Sequence, residues 1–282
     1  MTAHTASVRV VCVTYRPGPE LADFAASLAG SDADVELVIV DNSDDHSTAQ
    51  RVAERHSATL RLPGSNVGYG TAANRGAEGA EQPWLVVANP DIVWHRGALA
   101  TLLDAGRRHP EAGALGPAVL NPDGSRYPSA RALPSLRQGI GHALLARVWP
   151  ANPWSRAYRG ATSSDDERTV GWLSGACLLL RREAFEEVGG FDEGYFMFFE
   201  DMDLGARLGR AGWASVHVPS AEVTHVGGAS WRDRPARMIR EHHRSAVRYL
   251  SRRYARWYHW PLRIALRAGL AVRQAVELRR AT

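Results

Sequence analysis

The amino-acid sequence predicts an α/β protein built on a doubly wound, mostly parallel β-sheet. First, short apolar runs alternate with helical patterns through the first 91 residues. Second, polar residues follow each of these runs, as they do at the carboxyl edge of a parallel sheet. Third, 282 residues with 45% hydrophobic content can bury a sizeable core, either as one large domain or as a domain plus an appendage.

The first half of the chain contains four predicted strands separated by three predicted helices. Each strand is an apolar, largely β-branched run, and each helix has apolar residues at helical spacing. Because helices join consecutive strands, we expect parallel pairing with right-handed crossovers. In order, the elements are a strand at 8–13, a helix at 20–29, a strand at 35–40, a helix at 47–56, a strand at 59–62, a helix at 71–79 and a strand that starts at Leu85 and ends at Asp91.

Polar side chains follow the predicted strands and should meet at one edge of the sheet. Ligands of open α/β sheets bind at this edge, so residues 1–91 are interpreted as a nucleotide-binding half. The glycine-rich turn at 63–70 matches neither the dinucleotide nor the P-loop motif, and tight local geometry is the alternative explanation for it. The converging residues are Thr14, Tyr15, Asp41, Asn42, Asn66, Asn74, Asn89 and Asp91.

The second half is less regular. We interpret residues 129–168 either as an acceptor-binding loop or as a surface insertion. A strand is predicted at 170–180, interrupted by Ser174 and Gly175, and a glycine inside a strand often marks the close approach of a ligand. The other predicted elements are a helix at 96–109, a strand at 114–120, a turn at 121–124, a helix at 181–188, a helix at 203–212 and a strand at 214–219, with 223–225 just beyond it.

Three acidic residues, Glu200, Asp201 and Asp203, follow the aromatic and apolar run at 195–199. Acidic residues at a helix start often serve only to complement the helix dipole. Alternatively, apolar walls around a carboxylate raise its basicity, which suits a general base. His225 has the same ambiguity. It is either a structural histidine or, together with Asp91 and diphosphate oxygens, a ligand of Mg²⁺ or Mn²⁺.

The basic residues are concentrated in the last 51 residues. All 34 basic residues are arginine, and 14 of them lie in 232–282 against three acidic residues, a net charge of +11. The preceding 231 residues carry 20 arginines and 27 acidic residues, a net charge of −7. Arginines recur every four residues from Arg240 to Arg256, among aromatic residues, and Pro261 should break or kink this helix. The pattern favours binding of this helix to an anionic membrane surface. The alternative is a solvated basic face that packs on the acidic body of the protein. Binding to nucleic acid is not expected.

The chain lacks a recognisable secretion signal and any apolar run of about 20 residues, so a cytoplasmic protein is expected. Cys12 and Cys177 lie in apolar runs and are interpreted as buried free thiols.

Taken in order, these motifs resemble inverting glycosyltransferase family 2 over about residues 8–231, and within it the bacterial rhamnosyltransferases. Each motif is short, but the ordered set is specific. The motifs are Val13-Thr14-Tyr15, Val40-Asp41-Asn42-Ser43, Asn66-Val67-Gly68-Tyr69-Gly70 with Asn74, Asn89-Pro90-Asp91, Gly175-Ala176, Gly190-Phe191-Asp192 and Phe199-Glu200-Asp201-Met202-Asp203-Leu204.

The resemblance implies a GT-A fold, with a catalytic domain at 1–231 (nucleotide-binding half 1–91, acceptor-binding and catalytic half 92–231) and a basic helical tail at 232–282. Asp201 would be the catalytic base, supported by Glu200 and Asp203. Asp91 and His225 would bind the metal, Mg²⁺ or Mn²⁺. The nucleotide-sugar would contact Thr14, Tyr15, Arg16, Asp41, Asn42, Asn66, Gly68, Asn74 and Asn89, and the acceptor Trp172, Ser174 and Gly175. Asn89 replaces the first carboxylate of the family's Asp-x-Asp motif, which should weaken metal binding.

The same resemblance implies dTDP-rhamnose as the donor and a polyprenyl-diphosphate-linked N-acetylglucosamine as the acceptor, at the inner face of the cell membrane. Three other functions stay open on the sequence alone. These are a family 2 enzyme that uses a UDP-sugar, a nucleotidyltransferase, and a non-catalytic module that binds anionic membranes. The sequence does not indicate an oligomeric state.

Overall fold

The structure is a computed structural model that describes residues 7–31, 33–134, 166–227 and 235–281. Its first half follows the predicted alternation, with boundaries that differ by a few residues. Strand β1 pairs in parallel with β2 and β4, and β2 pairs in parallel with β3. The elements are β1 (Val8–Thr14), α1 (Glu20–Ala29), β2 (Val35–Asp41), α2 (Ser47–Arg55), β3 (Thr59–Arg61), α3 (Tyr69–Ala77) and β4 (Trp84–Ala88).

The second half departs further from the prediction. The interval 170–180, predicted as one interrupted strand, contains parts of three short ones. The segment predicted just beyond the last strand is instead continuous with it, and β5 was not predicted. The elements are β5 (Ile92–Trp94), α4 (Ala98–Arg108), β6 (Ala112–Leu120), β7 (Arg126–Tyr127), β8 (Ala130–Arg131), β9 (Arg168–Val170), β10 (Trp172–Leu173), β11 (Cys177–Arg181), α5 (Arg182–Glu187), α6 (Glu200–Ala211) and β12 (Ala214–His225). Most of the irregular region predicted at 129–168 lies outside the described residues.

Ten strands among the described residues form one mixed, mostly parallel sheet, whose main path runs β3-β2-β1-β4-β11-β6-β12-β5. Strand β11 is inserted antiparallel between β4 and β6, and β5 is antiparallel to β12. Because Cys177 at the start of β11 pairs with Ala88 at the end of β4, the Ser174–Ala176 turn lies at the carboxyl end of β4. The reversed strand therefore brings this turn beside Asn89 and Asp91.

Helices cover both faces of the sheet. Alternate residues of β1 enter different cores, with Val10 and Cys12 in one and Val11 and Val13 in the other. Helices α1, α2 and α4 contribute to the first core, and α3, α5 and α6 to the second. A strand buried on both faces has no polar side to mark it, which is why β1 appears in the sequence as a continuous apolar run.

The basic tail forms two helices, α7 (Pro235–Arg253) and α8 (Trp260–Ala281), joined by a 3₁₀ turn at Trp257–His259. The arginine repeat does not stay on one helix, because α7 ends before Arg256. Pro261 lies in the first turn of α8, where a missing N–H costs little, so it starts a helix and does not break one. In the described ranges, no helix is both long enough and apolar enough to cross a bilayer.

Candidate functional site

Strand β2 ends on a carboxylate that its neighbours fix in place. Asp41 is fully buried, and its Oδ1 accepts hydrogen bonds from the Ser43 backbone N–H at 3.1 Å and the Ser43 hydroxyl at 2.5 Å. Its Oδ2 lies 2.7 Å from Nδ1 of His46. His46 was not singled out in the sequence, because a histidine five residues after an aspartate matches no motif. The pair is therefore fixed in orientation at the predicted nucleotide edge.

The ends of β1 and β2 are linked into one polar cluster. The Asn42 backbone N–H donates to the Thr14 carbonyl at 2.9 Å, and the Arg16 backbone N–H donates to the Ser43 hydroxyl at 2.6 Å. The Arg16 guanidinium lies 5.2 Å from the centre of the Tyr15 ring. The sheet therefore brings together Thr14, Tyr15, Arg16, Asp41 and Asn42, as the convergence of strand ends predicts.

The glycine-rich turn rests against a segment more than 100 residues later. Gly68 has φ of +90°, and its N–H donates to Oδ1 of Asn66 at 3.1 Å. The next N–H, from Tyr69, donates to the Phe196 carbonyl at 3.0 Å. A Cβ on Gly68 would lie 2.4 Å from that carbonyl oxygen. The geometry thus requires glycine at 68, and the Asn42 side chain donates to its carbonyl at 3.3 Å.

Asn74 has a different immediate environment from the other predicted donor-site residues. Its amide nitrogen donates to the Phe191 carbonyl at 2.9 Å, and its amide oxygen accepts the Phe191 N–H at 2.8 Å. These two bonds connect α3 to the loop that precedes the acidic cluster. The second N–H of the Asn74 amide donates to Oε1 of Glu193 at 3.2 Å, so a direct contact with the donor would use the free lone pair of the amide oxygen or displace one of these partners.

Asp91 and His225 come together at the end of β4, although 134 residues separate them. Oδ1 of Asp91 lies 3.1 Å from Nε2 of His225, and the Asn89 amide nitrogen lies 3.4 Å from the same Nε2. The unpredicted β5 makes this meeting possible, since it pairs Ile92 with His225 and the Val226 N–H donates to the Asp91 carbonyl at 2.9 Å.

The Asp91–His225 pair has the chemistry of a partial metal site. Two ligands about 2.1 Å from an octahedral ion at right angles lie about 3 Å apart, close to the separation of these two atoms. When Nε2 carries the ring proton, this contact is a hydrogen bond, and a cation shared by the two atoms would take the place of that proton. The described residues contain no group of three or more His, Cys, Asp and Glu arranged to hold a metal. Diphosphate oxygens and water would therefore have to complete the shell, as is usual for Mg²⁺.

Asp201 lies in the first turn of α6 and faces the Ser174–Ala176 turn. Its Oδ2 accepts the Gly175 N–H at 2.9 Å, and its Oδ1 accepts the Met202 N–H at 2.7 Å. The carbonyl of Gly175 accepts the Tyr69 hydroxyl at 2.6 Å. Burial raises the pKa of Asp201, and the hydrogen bonds from Gly175 and Met202 oppose that rise. The result is a carboxylate that is more basic than an exposed aspartate and fixed in orientation.

The two neighbouring acids differ from each other. Glu200 is buried, its Oε2 has no hydrogen-bond partner among the described residues, and burial together with the charge of Asp201 raises its pKa to about 8. Asp203 accepts a hydrogen bond from Nε of Arg207 at 2.6 Å, one turn along α6. The observed contact of Asp203 is an ion pair within α6, and its supporting role at the site stays a prediction.

The run before Glu200 is an irregular segment with a strained backbone. Phe198 and Phe199 both have φ of +68°, a left-handed conformation that aromatic residues rarely adopt. Helix α7 holds the run from outside: the Ser245 hydroxyl donates to the Met197 carbonyl at 2.8 Å, and the His242 ring contacts both phenylalanines. This support explains how the strain persists, and neither feature is visible in the sequence pattern.

The predicted acceptor residues lie beside Asp201. The Ser174 N–H donates to the Ser129 carbonyl at 2.7 Å, which ties the turn to the segment leading into β8. Trp172 in β10 pairs with Arg131 in β8, and the Arg131 guanidinium lies 5.5 Å from the centre of the Trp172 ring. Arg131 was not singled out in the sequence, because it lies in the region predicted to be irregular.

Comparison with known proteins identifies the class. A family described as "Glycosyltransferase like family 2" matches residues 6–259. The chain therefore belongs to glycosyltransferase family 2, and the protein is a glycosyltransferase. The chain is 49% identical to the N-acetylglucosaminyl-diphospho-decaprenol L-rhamnosyltransferase of Mycobacterium tuberculosis, over 96% of this chain and 92% of that protein. It is 25% identical to the rhamnosyltransferase WbbL of Escherichia coli, over 87% of this chain and 93% of that protein.

Two solved structures support the fold. The mannosyltransferase PcManGT of Pyrobaculum calidifontis, in complex with GDP-Man and Mn²⁺, matches with a TM-score of 0.59 at 17% identity, over 98% of this chain and 73% of that one. GalNAc-T7 with UDP, GalNAc and Mn²⁺ matches with a TM-score of 0.59 at 14% identity, over 81% of this chain and 45% of that one. The predicted GT-A fold is confirmed.

Proposed function

We propose that the protein transfers rhamnose from dTDP-rhamnose to a polyprenyl-diphosphate-linked N-acetylglucosamine, with inversion at the anomeric carbon. The similarity to the Mycobacterium tuberculosis enzyme supports the choice of sugar and acceptor. The observation that supports the chemistry is the Gly175 turn, whose N–H orients Asp201 while the neighbouring Ala176 carbonyl accepts the Asn89 N–H at 2.9 Å. One turn thus connects the proposed base to the proposed metal ligands.

In this proposal Asp91 and His225 hold the divalent ion, Mg²⁺ or Mn²⁺. A bound ion would stabilise the negative charge that develops on the departing nucleoside diphosphate. The Asn89 amide nitrogen lies 3.4 Å from Nε2 of His225, the nitrogen that would bind the ion, so ion binding would replace this contact. The cluster of Thr14, Tyr15 and Asp41 binds the base and ribose.

Asp201 acts as the general base. It accepts the proton of the acceptor hydroxyl as that oxygen attacks the anomeric carbon from the face opposite the leaving group. The Gly175 and Met202 N–H groups keep the carboxylate fixed, so little reorganisation is needed when the proton moves. Neither cysteine is required, since no covalent enzyme intermediate forms in a single inverting displacement.

The tail brings the enzyme to its lipid-linked acceptor. Helix α8 carries exposed apolar side chains, among them Trp260, Ile264, Val272 and Val276, next to exposed arginines such as Arg267 and Arg273. Such a helix suits the interface of an anionic membrane, and we place the protein at the inner face of the cell membrane. Co-sedimentation with phosphatidylglycerol vesicles should be lost at high salt; equal binding to neutral vesicles would contradict this role.

The decisive experiment compares Asp201→Asn with Asp91→Ala. Asp201→Asn should abolish rhamnosyl transfer and leave donor binding intact, because the amide keeps the shape but cannot accept the proton. Asp91→Ala should lose the Mn²⁺-dependent part of dTDP binding, measured by calorimetric titration. Asp104→Asn, at an exposed position on α4, is the matched control. Near-normal turnover in Asp201→Asn would exclude the base assignment, and unchanged titration in Asp91→Ala would exclude the metal assignment.

A donor screen separates this proposal from the rival that uses a UDP-sugar. A ligand that binds only the folded state raises the melting temperature, so dTDP-rhamnose with Mn²⁺ should give a larger shift than UDP-sugars. The reverse order would favour the rival. Release of pyrophosphate during turnover would indicate a nucleotidyltransferase, and vesicle binding without any affinity for sugar nucleotides would indicate the non-catalytic module.

A further inference from the structure

Arg131 is an arginine held in place with its charge unneutralised. Its Nε donates to the Pro128 carbonyl at 2.8 Å, and its guanidinium lies 5.5 Å from the centre of the Trp172 ring and 5.9 Å from that of Tyr127. Among the described residues, no carboxylate forms an ion pair with it. The hydrogen bond and the two aromatic contacts restrict the side chain, so an anion that binds it meets a prepared site.

The position of Arg131 relative to Asp201 follows from the strand pairing. Strand β8 pairs with β10, and β10 leads within two residues to Gly175, whose N–H binds Asp201. The positive charge of Arg131 also opposes, to a small extent, the rise in the pKa of Asp201 that burial causes. Asp201 is bonded to backbone N–H groups and not to this guanidinium.

We propose that Arg131, held near the rings of Tyr127 and Trp172, binds the diphosphate group of the lipid-linked acceptor. This inference rests on the proposed function, because it takes the acceptor hydroxyl to lie at Asp201. The sugar ring then bridges the two residues, with its nucleophilic hydroxyl at the carboxylate and its anomeric diphosphate at the guanidinium. A guanidinium matches the oxygens of a phosphate through paired N–H donors, which makes arginine well suited to this role.

The test is a binding titration on the full chain, with dTDP present at saturation so that the donor's diphosphate pocket is occupied. The two probes are an alkyl-diphosphoryl N-acetylglucosamine and the matching alkyl N-acetylglucosamine without phosphate. Arg131→Met keeps an unbranched side chain near the two rings but removes the charge, and Arg131→Lys keeps the charge but not the paired donors. Arg107→Met, on the exposed face of α4, is the control for loss of an arginine.

Arg131→Met should bind the diphosphate probe about 10- to 100-fold more weakly, the range expected for a lost charge-assisted hydrogen bond, and should bind the phosphate-free probe like the wild type. The affinity of Arg131→Lys for the diphosphate probe should lie between those of the wild type and Arg131→Met. Equal weakening for both probes, or none for the diphosphate probe, would overturn the inference. Because binding is measured without turnover, failure of rhamnosyl transfer in the wild type would count against the proposed function and not against this site. An unchanged melting temperature, and an unchanged affinity for dTDP, would show that the loss is not a folding defect.

Discussion

The contact between Gly68 and Phe196 allows a direct test of what fixes the glycine-rich turn at 63–70, called the donor turn below. Gly68 has φ of +90° and ψ of 171°, a region that is essentially restricted to glycine. In Gly68→Ala, the new Cβ would also lie 2.4 Å from the Phe196 carbonyl oxygen, which is backbone and cannot rotate away. Gly64→Ala is the matched control in the same turn: φ there is +82°, but nothing lies within 4 Å of the new Cβ.

The two variants separate backbone strain from collision. Gly64→Ala should cost about 1–2 kcal/mol through its positive φ alone. Gly68→Ala should cost a further ~1–3 kcal/mol through overpacking, which corresponds to a melting temperature roughly 5 °C below that of the control. The free energies of unfolding come from urea denaturation, and melting temperatures from scanning fluorimetry. Donor affinity should fall in Gly68→Ala, because the Tyr69 N–H bond to Phe196 must lengthen.

Equal stability of Gly68→Ala and Gly64→Ala would refute this reasoning. It would mean that the turn at 63–70 does not rest against the segment before Glu200, so that the donor turn and the catalytic carboxylate are positioned independently.

Three further predictions concern buried acids, thiols and the outer support of the site. Burial and the charge of Asp201 raise the pKa of Glu200 to about 8, so between about pH 5 and 8 the folded state retains a proton that the unfolded state loses, and stability declines as the pH rises. Glu200→Gln should therefore make the melting temperature depend less on pH over that range. An unchanged slope of melting temperature against pH would contradict the assignment. Burial raises the pKa of both Cys12 and Cys177, so an aromatic disulfide reagent at pH 8 should label them only after denaturation. Rapid labelling of the native protein would disprove their burial. Asp192 accepts hydrogen bonds from Arg248 of α7 at 2.7 and 3.0 Å. Asp192→Asn should lower the free energy of unfolding by about 1 kcal/mol, a modest amount because the arginine is partly exposed, and should also reduce kcat. An unchanged kcat would show that the support from α7 does not reach Asp201.

The sequence was most informative where local patterns decide structure. The first four strands and three helices were predicted because a strand buried on both faces is apolar throughout, and because helices between strands imply parallel pairing. The polar strand ends at Asp41 and Asp91 were predicted to meet for the same reason. The irregular second half was predicted less well: β5, β8 and β10 have two or three residues each, too few for any periodicity to appear.

The acidic residues likewise show what the sequence predicts and what only the structure decides. The sequence singled out Glu200, Asp201 and Asp203 together as an acidic cluster but could not rank them. The structure separates them through their partners: Arg207 for Asp203, the Gly175 N–H for Asp201, and no hydrogen-bond partner among the described residues for Oε2 of Glu200. Arg207 lies on the same helix as Asp203, whereas the contact of Gly175 with Asp201 depends on packing between distant parts of the chain.

The sequence by itself determined the class of fold, the edge of the sheet where the site lies, and most of the residue types found there. Tertiary structure decided which atoms meet. The reversed strand β11 brings Gly175 to the end of β4, β5 brings Asp91 against His225, and α7 supports the strained backbone before Glu200. These contacts join residues many positions apart through short, irregular segments. Local propensity does not specify such segments, because the free energy that fixes them comes from burial against the rest of the fold.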